Sequence, residues 1–191
     1  MTWKPLHIFA VALAGWMNRQ ARQFVDELVE AVYECYGLPG GVPLISTGGS
    51  MGGLSSLIYT RYARRPVAAC LAMCPVCDFQ YHLHERPDLP PTIRYAMRCC
   101  KGRFGDLLKE HSPVCQVNHF PDIPYLVIHG DKDKAVNKER HSDRLVAKMR
   151  KARLDVTYIE VPGADHGGPF PDDVLRKETE FVKSALIGGR K

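Results

Sequence analysis

Gly48-Gly49-Ser50-Met51-Gly52-Gly53 constrains this chain more than any other stretch. An apolar run, 42–45, precedes it, and a helix-forming run, 54–62, follows. The pattern is strand, tight turn, helix, with a serine at the apex. Glycines on both sides suit a turn so sharp that flanking side chains would clash. Such a turn lifts the Ser50 hydroxyl to the carboxyl end of a sheet. It also aims the Met51 N–H and a helix N-terminus at any negative charge forming there. A glycine-rich connection with an incidental serine would look the same in this short motif, so further residues must decide.

A serine nucleophile needs a base, and the base needs an orienting carboxylate. The run 125–130 reads as a buried strand, followed by Asp131 and Asp133. The run 156–161 reads as another, followed by Asp165 and His166. Acidic and histidine candidates therefore lie just past strand ends, where an open parallel sheet binds its ligands. The chain order is Ser, Asp, His, the order expected of an α/β-hydrolase.

Three ordered motifs together resemble the α/β-hydrolase superfamily, and within it the prolyl oligopeptidase family catalytic domain and its related esterases. The elbow is Gly48 to Gly53. The acid segment comprises Ser112-Pro113, Ile123-Pro124 and His129-Gly130-x-x-Asp133-x-x-Val136. The histidine loop is Gly163-x-x-His166-Gly167. The resemblance covers roughly 42–186. It implies Ser50 as nucleophile, Asp133 as orienting acid and His166 as general base. It also selects Asp133 over Asp131, because the family places the acid four positions after the histidine of His-Gly. Asp165 directly precedes His166 and cannot easily fold back onto that ring, which makes it a turn or surface residue. His129 reads as structural, fixing the loop after its strand. The other histidines fall in no recognisable motif.

The 191 residues suit one domain with an ordinary core. The net charge of +5 comes from scattered basic residues without interleaved aromatics. This reads as a solvated basic face rather than a nucleic-acid surface. The seven cysteines show no disulfide framework, and plain reduced thiols imply a cytoplasmic protein. Cys74-Pro75-Val76-Cys77 has redox or metal spacing, but it follows a strand, and its only companion pair, Cys99-Cys100, is adjacent. The rival for localisation is secretion, with 6–14 as the core of a signal peptide. That run is too short to span a bilayer, and no other segment is apolar enough to try.

Strands are expected at 6–13, 43–46, 67–72, 125–129 and 156–161. Helices are expected at 18–36, 50–62, 138–153 and 172–186. Alternation of the two predicts an α/β fold: a mostly parallel sheet with helices on both faces. Residues 78–115 break the alternation and read as a helical cap or lid. Phe79, Tyr81, Tyr95, Met97, Arg98 and Phe104 are its candidates for substrate contacts, or else for packing within the cap. Relative to the family the chain is shortened at the N-terminus. The loop giving a second oxyanion donor has no clear match unless residues 14–18 supply it. An exposed sheet edge there would favour self-association into a homo-oligomer.

The expectation is a serine hydrolase that cleaves a carboxylic ester or other small acyl substrate through an acyl-enzyme on Ser50. No metal or organic cofactor is required. A peptidase of the prolyl oligopeptidase type acting on short peptides is the first alternative. A non-catalytic hydrolase-fold binding protein with an incomplete oxyanion hole is the second. A redox protein built on Cys74 and Cys77 is the third.

Overall fold

The computed structural model describes residues 16–188. The expected strand at 6–13 and the signal-peptide reading lie outside the described residues. The first helix, α1 (Arg19–Cys35), begins where the Asn18 side chain accepts the Ala21 N–H at 2.9 Å. That bond satisfies one of the donors a helix start leaves open. Ala21, Val25, Val29 and Tyr33 recur every fourth residue and form the buried stripe.

Four strands follow, β1 (Leu44–Gly49), β2 (Val67–Met73), β3 (Tyr125–Gly130) and β4 (Val156–Val161). They pair in chain order as one wholly parallel sheet. Side chains alternate across it as strand geometry demands. Cys70, Ala72 and Tyr125 point to one face and meet Leu57, Val114, Leu145 and Met149. Leu71, Leu126 and Ile128 point to the other and meet Val161 and Val174. The covering helices are α2 (Met51–Tyr62), α6 (Pro113–Gln116) and α7 (Arg144–Lys151) on the first face. On the second face lies α8 (Asp172–Gly188). Leu54, Leu57 and Ile58 of α2 are fully buried, each worth about 1.5–3 kcal/mol of burial. This is the expected α/β-hydrolase-like architecture, with helices on both faces.

Residues 78–115 hold α3 (Phe79–Glu85), α4 (Pro90–Met97) and α5 (Phe104–Glu110), and run into α6. Their buried members, Ile93, Ala96, Met97, Leu107 and Leu108, share a core with α1. Among the described residues, no helix is long and apolar enough to cross a membrane.

Most boundaries fall within two residues of expectation, and two elements differ more. Strand β1 runs through Gly49 rather than stopping at Ser46, because pairing continues to Gly49↔Met73 and the Ser50 N–H donates to the Met73 carbonyl at 2.8 Å. The helix expected at 138–153 opens with a π-helical turn, Glu139–Asp143, before α7. The extra residue in that turn faces His141 toward the chain after β2. There its Nδ1 accepts the Cys77 and Asp78 N–H groups at 2.9 and 3.0 Å.

Candidate active site

Ser50 stands between β1 and α2 with φ 56° and ψ −121°. This is a left-handed conformation that a non-glycine residue holds only under external constraint, at a cost of about 1–3 kcal/mol. The constraint is visible on both sides of the turn. A Cβ on Gly48 would overlap the Gly52 carbonyl, and one on Gly53 would lie 2.8 Å from the Pro75 side chain. Gly49 and Gly52 have room for a Cβ, so the clash expected of all the flanking glycines holds for the outer pair. Met51 is the first residue of α2, and its N–H is one of the donors that a helix start leaves unpaired. The half-buried Ser50 therefore sits beside a free N–H and the positive end of a helix dipole.

Asp133 and His166 meet. His166 Nδ1 lies 2.7 Å from Asp133 Oδ2, and the loops carrying them leave neighbouring strand ends, Gly130 and Val161. The Asp133 carboxylate is sealed from solvent, whereas the His166 side chain keeps 27% of its exposure. The acid is thus dry and the imidazole reachable. Burial alone would raise the Asp133 pKa. Hydrogen bonds from His129, His166 and the Val136 and Ala135 N–H groups outweigh it and hold the carboxyl well below the usual range. The same contact raises the His166 pKa, against the opposing pull of burial. No hydrogen bond joins Ser50 to His166 among the described residues. In hydrolases that use a serine–histidine pair, that contact commonly tightens only when substrate arrives.

The loops are locked to each other by residues whose roles the sequence did not disclose. Asp131 accepts the Gly163 N–H at 2.6 Å, and Asp165 accepts the Lys134 and His166 N–H groups at 3.1 and 2.8 Å. Each aspartate rejected as catalytic acid therefore ties the acid loop to the histidine loop. The Lys132 N–H adds a bond to the Ala164 carbonyl at 3.0 Å. At Gly130 a Cβ would collide with that carbonyl, so the His-Gly pair is required by the close approach of the loops. His129 is fully buried between Ser142 Oγ at 2.6 Å and the Val136 carbonyl at 3.1 Å, the structural part expected of it. It also reaches Asp133 Oδ2 at 3.1 Å, a contact that the four-residue spacing on a loop gave no means of predicting.

The remaining candidates separate by burial. Phe79 and Met97 are core residues, with Phe79 packed on Trp16 at 4.9 Å between ring centroids. Tyr95 is exposed beneath the Arg98 guanidinium, and Phe104 lies beneath that of Arg94. Arg94, Arg98 and Phe104 line a shallow pocket of about 290 Å³ together with Met97, Cys100 and Leu107. Cys74 and Cys77 are buried with pKa values raised by burial, and Cys77 Sγ donates to the Pro75 carbonyl. Such thiols lack the thiolate character that redox chemistry needs. In the segment considered for a second oxyanion donor, Trp16 and Met17 are buried and both have positive φ, 41° and 51°. Ala14 lies outside the described residues.

Residues 40–188 match the family described as the prolyl oligopeptidase family. The chain belongs to that family. Esterase LipC of Mycobacterium tuberculosis is 28% identical over an alignment covering 44% of this chain and 25% of the esterase. A puromycin-hydrolyzing peptidase of Mycobacterium tuberculosis superposes with a TM-score of 0.69 at 21% identity, over 86% of this chain and 26% of the peptidase. A truncated carbohydrate esterase from gut microbiota gives 0.67 at 21% identity, over 88% of this chain and 68% of the esterase. The two structural likenesses bear on the fold. The chain spans about a quarter of the length of Esterase LipC and of the peptidase.

Proposed function

We propose that this domain is a serine hydrolase acting on a carboxylic ester or other small acyl substrate. The observation that carries the reading is the presence of a strained, glycine-walled Ser50 and a dry Asp133–His166 couple at the same carboxyl end of the sheet. Asp133 holds the Nδ1 proton of His166, leaving the Nε2 lone pair for the Ser50 hydroxyl proton. Ser50 Oγ then bonds to the substrate carbonyl carbon, and the carbonyl electrons move onto oxygen. The Met51 N–H takes that oxyanion. Collapse expels the alcohol, which leaves with the proton carried by His166. Water, deprotonated by His166, cleaves the acyl-enzyme in the same manner. Helices α3 to α5 serve as the cap. The unbridged cysteines support a reducing, cytoplasmic compartment.

The peptidase reading is supported by membership of the prolyl oligopeptidase family and by the likeness to a puromycin-hydrolyzing peptidase. The ester reading has the likeness to Esterase LipC and to the carbohydrate esterase. Kinetics on p-nitrophenyl acetate and butyrate, set against aminoacyl-proline amides, separates them. The expected result is kcat/KM higher for the esters by about tenfold or more, the size of about 1.4 kcal/mol in transition-state binding. Equal or faster turnover of the amides would contradict the ester assignment.

A further inference from the structure

Glu85, the last residue of α3, accepts three hydrogen bonds although it lies outside every motif considered above. Its Oε2 lies 2.7 Å from His82 Nδ1 and 2.9 Å from His141 Nε2, and its Oε1 accepts the Asn137 N–H at 2.5 Å. His82 and His141 are fully buried, and the Glu85 side chain retains 10% of its exposure. Two histidines and a glutamate at this separation have the composition of a metal site. The tautomer argues otherwise. His141 Nδ1 accepts two backbone N–H groups, so the ring proton sits on Nε2 and points at Glu85. A metal-bound histidine has the reverse arrangement, with its outer nitrogen donating to an acceptor. The cluster is therefore a hydrogen-bond hub centred on a carboxylate.

The position of this hub gives it a role. Ser50 is bound through its carbonyl to the Val76 N–H at 3.3 Å. The next two residues, Cys77 and Asp78, donate to His141, and His141 donates to Glu85. Glu85 holds Asn137, whose neighbour Val136 donates to Asp133 Oδ1 at 2.8 Å. Asp133 in turn holds His166. A path of hydrogen bonds and two short backbone steps, Val76–Cys77 and Val136–Asn137, thus links the nucleophile turn to the Asp133–His166 pair. We infer that Glu85 and His141 are positioning residues that set the Asp133–His166 pair in place relative to Ser50. The inference rests on the serine hydrolase reading for its catalytic meaning. Its structural part stands without it: cutting the His141–Glu85 link unties Glu85 from the Cys77–Asp78 turn, so that Glu85 can shift together with the Asn137 and Val136 backbone it holds, loosening the Asp133 carboxylate and its hold on His166.

The test is titration of His166 by NMR in the full chain, comparing wild type with Glu85→Gln and His141→Leu. Glu85→Gln keeps an oxygen for Asn137 but loses the acceptor that both histidines need. His141→Leu cuts the same link without changing a charge, which separates loosening from the simple loss of a nearby carboxylate. Either variant, if folded by its thermal transition, suffices. The expected result is a fall in the His166 pKa toward the ordinary histidine value of about 6.5. An about tenfold or greater loss of kcat should accompany it, with KM within about twofold. A folded variant whose His166 titrates as in wild type would overturn the inference. Failure of the parent reading shows separately, as a wild-type chain whose Ser50 is inert.

Discussion

Asp133→Asn should lower kcat by about 10⁴ while leaving the chain folded. The reason lies in where the protons sit. In wild type, Asp133 Oδ2 accepts from His166 Nδ1 and approaches His129 Nε2, and Oδ1 accepts the Ala135 and Val136 N–H groups. An asparagine keeps an oxygen for the two backbone donors and turns its NH₂ toward both rings. That NH₂ donates to His166 Nδ1, so the imidazole proton moves to Nε2. His166 then faces Ser50 with a proton instead of a lone pair and cannot act as a base. The pH profile carries a second signature. The Asp133 contact raises the His166 pKa, and the base works only when neutral. The acid limb of kcat/KM in wild type should therefore lie above the ordinary histidine value of about 6.5. In the variant it should move down toward that value. Stability shifts as well, with a sign fixed by the depressed Asp133 pKa. A carboxyl held below its unfolded value contributes stability above that value and loses it as pH falls. The asparagine variant should be less stable than wild type at neutral pH, and the gap should narrow as the pH falls below the unfolded carboxyl value of about 3.9. Steady-state kinetics between pH 5 and 9, with urea midpoints at pH 7 and pH 3, checks both.

Gly48→Ala should be strongly destabilising for a change of one methyl group. The added Cβ meets the Gly52 carbonyl, which belongs to the turn itself rather than to a side chain that could swing away. Relief requires α2 to slide outward, yet its Leu54 and Ile58 are fully buried. The cost should be about 3 kcal/mol, the upper end of what overpacking usually exacts. Whatever folds should carry Ser50 off its strained backbone angles, so activity per folded molecule falls too. Gly52→Ala is the matched control, because a Cβ there meets nothing within 4 Å. Thermal unfolding of the two variants should differ by many degrees. Equal transitions would mean that the turn tolerates what its geometry forbids.

The legible parts of this molecule were those written in local sequence. The elbow declared itself through glycine spacing, and the four described strands through apolar runs between turn residues. The Ser, Asp, His order and the segment around His129 and Gly130 were visible in the same way. What stayed hidden depends on which loop ends face each other. The Asp131–Gly163 and Asp165–Lys134 bonds link residues about thirty positions apart through backbone N–H groups, which leave no trace in side-chain identity. The π-helical turn at Glu139–Asp143 was invisible because its residue types do not distinguish a π turn from an α turn. In the structure it accompanies the bonds by which His141 Nδ1 accepts the Cys77 and Asp78 N–H groups. One signal was available and unused. His82 and Glu85 stand three apart on a helix, the spacing at which side chains touch.

Covalent labelling with a fluorophosphonate tests the central claim most directly. The reagent reports an activated serine and needs no knowledge of the substrate. Wild type should label at Ser50, and labelling should vanish in Ser50→Ala and in His166→Ala. A folded wild-type chain that does not label, or labelling that survives Ser50→Ala, would contradict the account and leave a hydrolase fold that binds without catalysing.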